Sequence, residues 1–160
     1  MVKNQPELSS ILHNLRSAHN VGAIFRTAEA AGVTKIFLTG YTPAPRDRFD
    51  RANATIAKTA LGAEKLLAYE KVTSFPRLIK KLKSEGIKIV ALEQAKNSVD
   101  YKKFKLTGGA ALVLGNEVAG LDQKILKLCA TIIEIPLRGQ KESLNVATAA
   151  GVAIFRLLNL

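Results

Sequence analysis

Three segments of this 160-residue chain carry residue types able to bind and orient a polar ligand. The first runs Asn14-Leu15-Arg16-Ser17-Ala18-His19-Asn20-Val21-Gly22-Ala23-Ile24-Phe25-Arg26. Asn20 is suited to cap a helix over Val21–Ala31, with Val21, Ile24, Phe25 and Ala28 on one face and Gly32 ending it. Gly22 and Arg26 are then one turn apart on the opposite face, the glycine admitting close approach and the arginine offering a fixed cation. A surface arginine on an amphipathic helix fits the same pattern. The second segment, Leu112-Val113-Leu114-Gly115-Asn116-Glu117-Val118-Ala119-Gly120-Leu121, leads a buried strand into a turn before a helix. Ligands of open α/β sheets bind at such carboxyl ends of strands. A carboxylate, an amide and two glycines are more than a connection needs, though an ordinary strand-to-helix loop is the alternative. The third, Ile135-Pro136 through Ser143-Leu144-Asn145-Val146-Ala147, places Ser143 as an N-cap before an Ala- and Gly-rich helix, with Asn145 in its first turn. A capped core helix would read alike.

These segments need a scaffold. Short apolar runs at 35–40, 88–93, 110–117 and 131–136 predict strands covered on both faces. Between them lie helical patterns: Ser74–Ser84, basic and amphipathic with Phe75, Leu78, Ile79 and Leu82 inward; Leu121–Leu128; and Ser143–Leu158, apolar nearly all round. The alternation predicts an α/β domain with a mostly parallel sheet. Residues 41–58, with Thr42-Pro43-Ala44-Pro45 and then Arg46-Asp47-Arg48-Phe49-Asp50-Arg51, read as an exposed loop.

Composition narrows the partners. Formal net charge is +11, from 24 basic and 13 acidic residues, which favours a polyanion, nucleic acid before an anionic membrane surface. Residues 61–110 hold eleven Lys/Arg against five Asp/Glu, and residues 111–160 five against four. A merely soluble basic surface is the bland alternative. Lys80-Lys81-Leu82-Lys83 and Lys102-Lys103-Phe104-Lys105 are candidate phosphate contacts or solvated faces. No apolar stretch suits a membrane helix, and MVKNQPELSS has no leader-like apolar core. The single cysteine, Cys129, sits in an apolar stretch and reads as a core residue. His13 and His19 have no partners at metal spacing, so no metal is expected. The glycine spacing at 115–120 continues as Leu121-Asp122 where a nucleotide-phosphate loop has Lys-Ser/Thr, and neither G-x-G-x-x-G nor G-x-S-x-G is present.

Taken in order, the three segments resemble motifs one, two and three of the SpoU family of RNA ribose 2′-O-methyltransferases, within the SPOUT class. The matching residues are Asn20-x-Gly22-x-x-x-Arg26; Leu112-x-x-Gly115-x-Glu117-x-x-Gly120-Leu121; and Ile135-Pro136-x-x-Gly139-x-x-x-Ser143-Leu144-Asn145-Val146-Ala147, with Leu137 where Met is frequent. The resemblance implies an α/β fold, a mostly parallel sheet with helices on both faces and a C-terminal deep trefoil knot, in one domain over 1–160 without a separate RNA-binding extension. It implies S-adenosylmethionine held by Ala91-Leu92-Glu93, by Leu114-Gly115-Asn116-Glu117, and by Ile135-Pro136 with Ser143-Leu144-Asn145. Arg26 becomes the central catalytic residue, with Asn20, Glu117, Ser143 and Asn145 orienting it, the ribose and the cofactor. Asn14, Arg16 and Arg26 become RNA contacts, and by their charge Arg46, Arg48 and Arg51 of the basic loop are further candidate phosphate contacts or a solvated face. The expected substrate is tRNA or rRNA, the assembly a homodimer that faces Arg26 of one subunit to the cofactor of the other, and the compartment the cytoplasm. A non-catalytic knotted RNA-binding module, or an enzyme for a small acidic metabolite, are the competing readings.

Overall fold

The structure is a computed structural model that describes residues 6–160; the opening residues read above for a leader, 1–5, lie outside it. Its frame is a seven-stranded sheet. The strands are β1 (Leu8–His13), β2 (Ile36–Thr39), β3 (Tyr69–Val72), β4 (Lys88–Leu92), β5 (Val99–Asp100), β6 (Ala110–Leu114) and β7 (Thr131–Glu134). They lie in the order β3-β2-β1-β6-β4-β7-β5, and every pairing is parallel. The helices are α1 (Ala18–Ala31), α2 (Ala54–Ala60), α3 (Ala63–Leu66), α4 (Phe75–Ser84), α5 (Gln123–Leu128) and α6 (Val146–Leu158).

Side chains alternate across the sheet, as the pleat requires. Leu8, Leu12, Ile36, Leu38, Val90, Leu112, Leu114 and Ile133 enter one core with Val21, Ile24 and Phe25 of α1 and Ala150, Ala153 and Ile154 of α6. Ile11, Phe37, Ile89, Ala91, Ala111, Val113 and Ile132 enter the other, with Phe75, Leu78, Ile79 and Leu82 of α4 and Ile125 of α5. Both faces are thus covered, which is why the strands read as unbroken apolar runs. Helix α4 begins where the pattern set it: the Ser74 hydroxyl accepts from the Arg77 amide, and Pro76 occupies the first turn.

Several expectations are corrected. The central strand β1, Leu-Ser-Ser-Ile-Leu-His, was not among the predicted strands, because buried Ser9 and Ser10 interrupt its apolar run. Strands β3 and β5 are short, polar and at the sheet edges. The segment 41–58 is not loop throughout, since α2 begins at Ala54 with Asn53 as its cap, accepting from the amides of Thr55 and Ile56. Helix α1 starts earlier than predicted: Ser17, not Asn20, is the N-cap, and its hydroxyl accepts from the Asn20 amide at 3.1 Å. Helix α6 starts later: Asn145, not Ser143, caps it by accepting from Ala147 and Thr148. Helix α5 begins at Gln123, capped by Asp122, instead of at Leu121.

Gly22 is also corrected. It does not lie on an open face with Arg26; it is buried where α1 crosses α2. A Cβ there would sit 1.9 Å from Thr59 Oγ1 and 2.6 Å from the Ile56 carbonyl oxygen. The close approach serves helix packing. Gly22→Ala is therefore expected to destabilise the fold by about 1–3 kcal/mol in denaturant unfolding, the usual cost of overpacking. Combining it with Thr59→Ala should recover only part of that loss, because the clash with the Ile56 backbone remains.

Candidate cofactor and catalytic site

Parallel pairing of β1 with β6 brings residues about a hundred positions apart together at the carboxyl ends of both strands. There the Glu117 carboxylate closes the N-terminus of α1. It accepts from the Arg16 amide at 2.9 Å, the Ser17 amide at 2.9 Å and the Asn20 side-chain amide at 3.3 Å. Asn20 in turn accepts from Asn145 Nδ2 at 3.1 Å, and Asn145 Oδ1 caps α6. One hydrogen-bonded line thus joins all three motif segments. Its polarity is fixed at both ends. An anion can only accept, so Asn20 turns its NH₂ to Glu117 and its oxygen to Asn145; the amides of α6 then take the Asn145 oxygen. Burial opposes the charge on Glu117, but the donated amides of Arg16 and Ser17, its own amide and Asn20 outweigh it and hold its pKa below the ordinary 4.5.

The neighbouring turn is built from its own residues. Asn116 Oδ1 accepts from the amides of Val118 and Ala119, and its NH₂ donates to the Asn14 carbonyl and reaches Tyr41 Oη at 3.1 Å. A Cβ on Gly115 would fall 2.7 Å from the Gly120 backbone. Gly120 has φ +66° and faces the Glu93 carboxylate, which accepts from the Leu121 amide at 2.9 Å. Both glycines are therefore demanded by the turn itself.

Beside this network a cleft opens between the loops that follow β4, β6 and β7. Of the residues expected to hold a cofactor, Leu92, Glu93, Leu114, Gly115, Asn116, Glu117, Ile135, Ser143 and Leu144 line it. Ala91 does not, being fully buried beneath the sheet's other face, and neither Pro136 nor Asn145 is on the wall. Gln94, Val118, Gly120, Glu134, Leu137, Val146 and Ala149 line the cleft but are not among the expected ligand positions. Val118, Gly120, Leu137 and Val146 lie inside the motif segments without being singled out as ligand positions. Gln94 spans two of the loops, donating from Nε2 to the Glu142 carbonyl at 2.9 Å. Among the described residues, no amide between Leu137 and Leu144 donates to another backbone carbonyl, so that loop keeps donors for a ligand or solvent.

Arg26 lies elsewhere. It is exposed on α1 over a shallow depression shared with His19, Ala23, Thr27, Lys58 and Phe155, and is not on the cleft of its own chain. Among the described residues it makes no ion pair or hydrogen bond. Asn14, expected at RNA, has φ +57° and uses its side chain within the chain, on the Tyr41 amide and His13. Arg16 is exposed, with its backbone amide on Glu117. Arg46 and Arg51 pair with Asp50 and Asp47, whereas Arg48 carries no ion pair among the described residues. Cys129 is half-buried, and burial raises its thiol pKa to about 11, as for an inert cysteine. No group of three or more His, Cys, Asp or Glu residues suited to a metal occurs among the described residues, and no helix there is long and apolar enough to cross a membrane.

The model of the SpoU rRNA methylase family matches residues 7–155. The chain belongs to this family. It is 35% identical over 151 residues to a 23S rRNA (guanosine-2′-O-)-methyltransferase of Ralstonia nicotianae, covering 94% of this chain and 57% of that protein. The corresponding Coxiella burnetii protein is 35% identical, with 97% and 59% covered. The chain thus spans under two thirds of the length of these curated SpoU relatives. Among solved structures, an AdoMet-bound rRNA methyltransferase from Sinorhizobium meliloti superimposes with a TM-score of 0.88 at 28% identity, over 98% of this chain and 57% of that one. A TrmH/SpoU tRNA-modifying enzyme of A. aeolicus gives 0.83 at 29%, over 98% and 76%. The parallel sheet with helices on both faces is therefore the SPOUT methyltransferase architecture.

The Glu117 network yields a pH-dependent expectation. A carboxyl whose folded pKa is depressed stabilises the fold above its unfolded pKa and loses that contribution as pH falls through the folded value. Glu117→Gln should cost about 1–2 kcal/mol at neutral pH, after allowing for solvent screening of a part-exposed group. The difference from the parent should shrink once pH drops below about 4.5. Urea unfolding from pH 7 to 3 measures it, and a constant difference across that range would contradict the assignment.

Proposed function

We propose that this chain is an S-adenosylmethionine-dependent methyltransferase that modifies the ribose 2′-hydroxyl of RNA. The observation that carries the reading is the continuous line Glu117–Asn20–Asn145 beside the three-loop cleft. The cleft suits such a ligand. Leu92, Leu114, Ile135 and Leu144 are apolar walls for a flat base, Glu117 and Glu134 offer carboxylates to a cation, and the Leu137–Leu144 amides offer donors. When bound, S-adenosylmethionine supplies an electrophilic methyl group on a cationic sulfur.

The chain's own residues do the rest. Leu92, Glu93, Leu114, Gly115, Asn116, Ile135, Ser143 and Leu144 hold the cofactor. Glu117, Asn20 and Asn145 keep the loops after β6 and β7 in register with α1. Ser143, exposed at the cleft, orients ligand groups there. A guanidinium is a poor proton acceptor, so Arg26 remains charged, grips a phosphate and steadies negative charge on the acceptor oxygen. Since Arg26 is off the cleft of its own chain, a second copy supplies it. Exposed Phe155 and Val152 on α6 beside that depression support a homodimer that buries them. The final segment is threaded as a deep trefoil knot: β7 entering between β4 and β5 supports that path. RNA is the substrate that the +11 charge supports, with rRNA favoured by the curated relatives.

Transfer of labelled methyl from S-adenosylmethionine to RNA, followed by mapping of 2′-O-methyl positions in cells with and without the protein, tests this. Arg26→Lys keeps the charge but loses the planar fork that grips phosphate with two N–H groups, and should lower transfer about 100-fold or more with cofactor affinity kept. Leu144→Arg, which fills the cleft, should abolish cofactor binding. Co-expression of the two variants should restore transfer, because one mixed site then has a free cleft and an intact Arg26. Near-full turnover by Arg26→Lys would remove the bidentate role, and failure of the mixture would remove the shared site.

A further inference from the structure

We propose that the loop from Arg46 to Ala52 is a clamp for one unpaired RNA base, stacked on Phe49 and its flanking guanidiniums. The proposal rests on RNA being the substrate and adds how a nucleotide next to the modified one is gripped. Phe49 is 62% exposed at the apex of this loop. An isolated exposed phenylalanine needs no account, but this one is held in place by a dedicated framework. Asp47 Oδ1 accepts from the amides of Phe49 at 2.8 Å and Arg51 at 3.0 Å. Its other oxygen pairs with Arg51 Nε at 2.7 Å. Arg46 Nη1 donates to the Asp50 carbonyl at 2.6 Å, and Arg46 bridges to Ala52 across the loop's base. Below the loop, Lys71 Nζ donates to the carbonyls of Gly40 and Thr42. The Asp47 carboxylate is thus consumed in shaping the turn, and the ring is presented outward at little ordering cost on binding.

The ring's surroundings specify the partner. Arg48 and Arg51 guanidiniums lie 4.7 and 5.1 Å from its centroid. An exposed ring with guanidiniums over it offers aromatic and guanidinium planes, the surfaces on which splayed RNA bases stack, together with cations for the adjoining phosphates. The loop is also placed for the reaction. Tyr41, 60% exposed, touches Asn116 on the cleft, and the next residues, Thr42 to Ala44, wall the groove that contains Phe49. A strand entering the cleft therefore runs on past the clamp. Bases in an A-form duplex are already stacked and cannot offer a face, so the clamp selects single-stranded or looped RNA.

The test uses a short unstructured oligoribonucleotide, free and annealed to its complement, with the purified full chain. Phe49→Ala should weaken binding of the free strand roughly tenfold, within the usual worth of one stacked base. Duplex binding should change less, the salt dependence of free-strand binding should stay the same, and Phe49→Tyr should restore affinity. The chain has no tryptophan, so Phe49→Trp gives a single emitter that should be quenched by the free strand. Equal loss of free-strand and duplex affinity in Phe49→Ala, no loss at all, or an unquenched Trp at saturation would each overturn the clamp while leaving RNA as substrate intact. No RNA binding by the parent chain would overturn both this proposal and the substrate reading beneath it.

Discussion

The structure depends on how one carboxylate is solvated. Glu117 stands at the end of β6 with its charge partly removed from water, and the compensation comes from the first amides of α1 and from Asn20. A helix N-terminus suits an anion, because its free N–H groups and dipole both point at it. The anion then dictates the direction of every hydrogen bond beyond it, through Asn20 to Asn145 and into the first turn of α6. Three segments far apart in sequence acquire a common origin. Replacing Glu117 or Asn145 by an apolar residue would leave the buried Asn20 side chain short of a partner, so the motif residues act as a unit.

Topology makes that unit possible. The first strand and the sixth are neighbours, so Leu12 and Leu114 pair in register, and the turns that follow both strands must meet. All strands are parallel, and their carboxyl ends therefore share one edge of the sheet. The cleft is the space left where the turns after β4, β6 and β7 diverge. Glycine at 115 and 120 lets the middle turn fold tightly enough to keep that space open, with Glu93 of the first turn bonded to the far end of the second.

Periodicity made visible the elements whose burial follows from composition. Ile89, Ala111 and Phe37 alternate with Val90, Leu112 and Leu38 between two apolar cores, and such strands announce themselves. Phe75, Leu78, Ile79 and Leu82 do the same for α4. Strand β1 did not, because Ser9 and Ser10 are polar residues kept inside, the former donating to the Ala110 carbonyl. The caps of α1 and α6 were misplaced for a related reason. Ser17 and Asn20, and likewise Ser143 and Asn145, are all capable caps, and local chemistry cannot rank them. Long-range bonds decide: Asn20 is drawn to Glu117 and leaves capping to Ser17, while Asn145 does both tasks at once. Gly22 shows the opposite limit. Its spacing from Arg26 suggested a ligand, whereas its space is filled by α2, an element hidden in what looked like loop.

Arg26 shows what motif spacing alone does not convey, namely that a motif residue can lie on a different surface from the cleft. Its position on α1 is fixed by the same turn that Glu117 closes, so the cation and the cleft are rigidly related even though they are separate surfaces of one chain. In the proposed dimer the arginine of a second copy completes the site, and a phosphate of the bound strand offsets its charge. Arg46, Arg51 and Lys71 are engaged in building loops, whereas Arg26 and Arg48 remain without ion pairs among the described residues. They share that state with most of the chain's lysines and arginines, since only Lys35, Arg46 and Arg51 form ion pairs among the described residues.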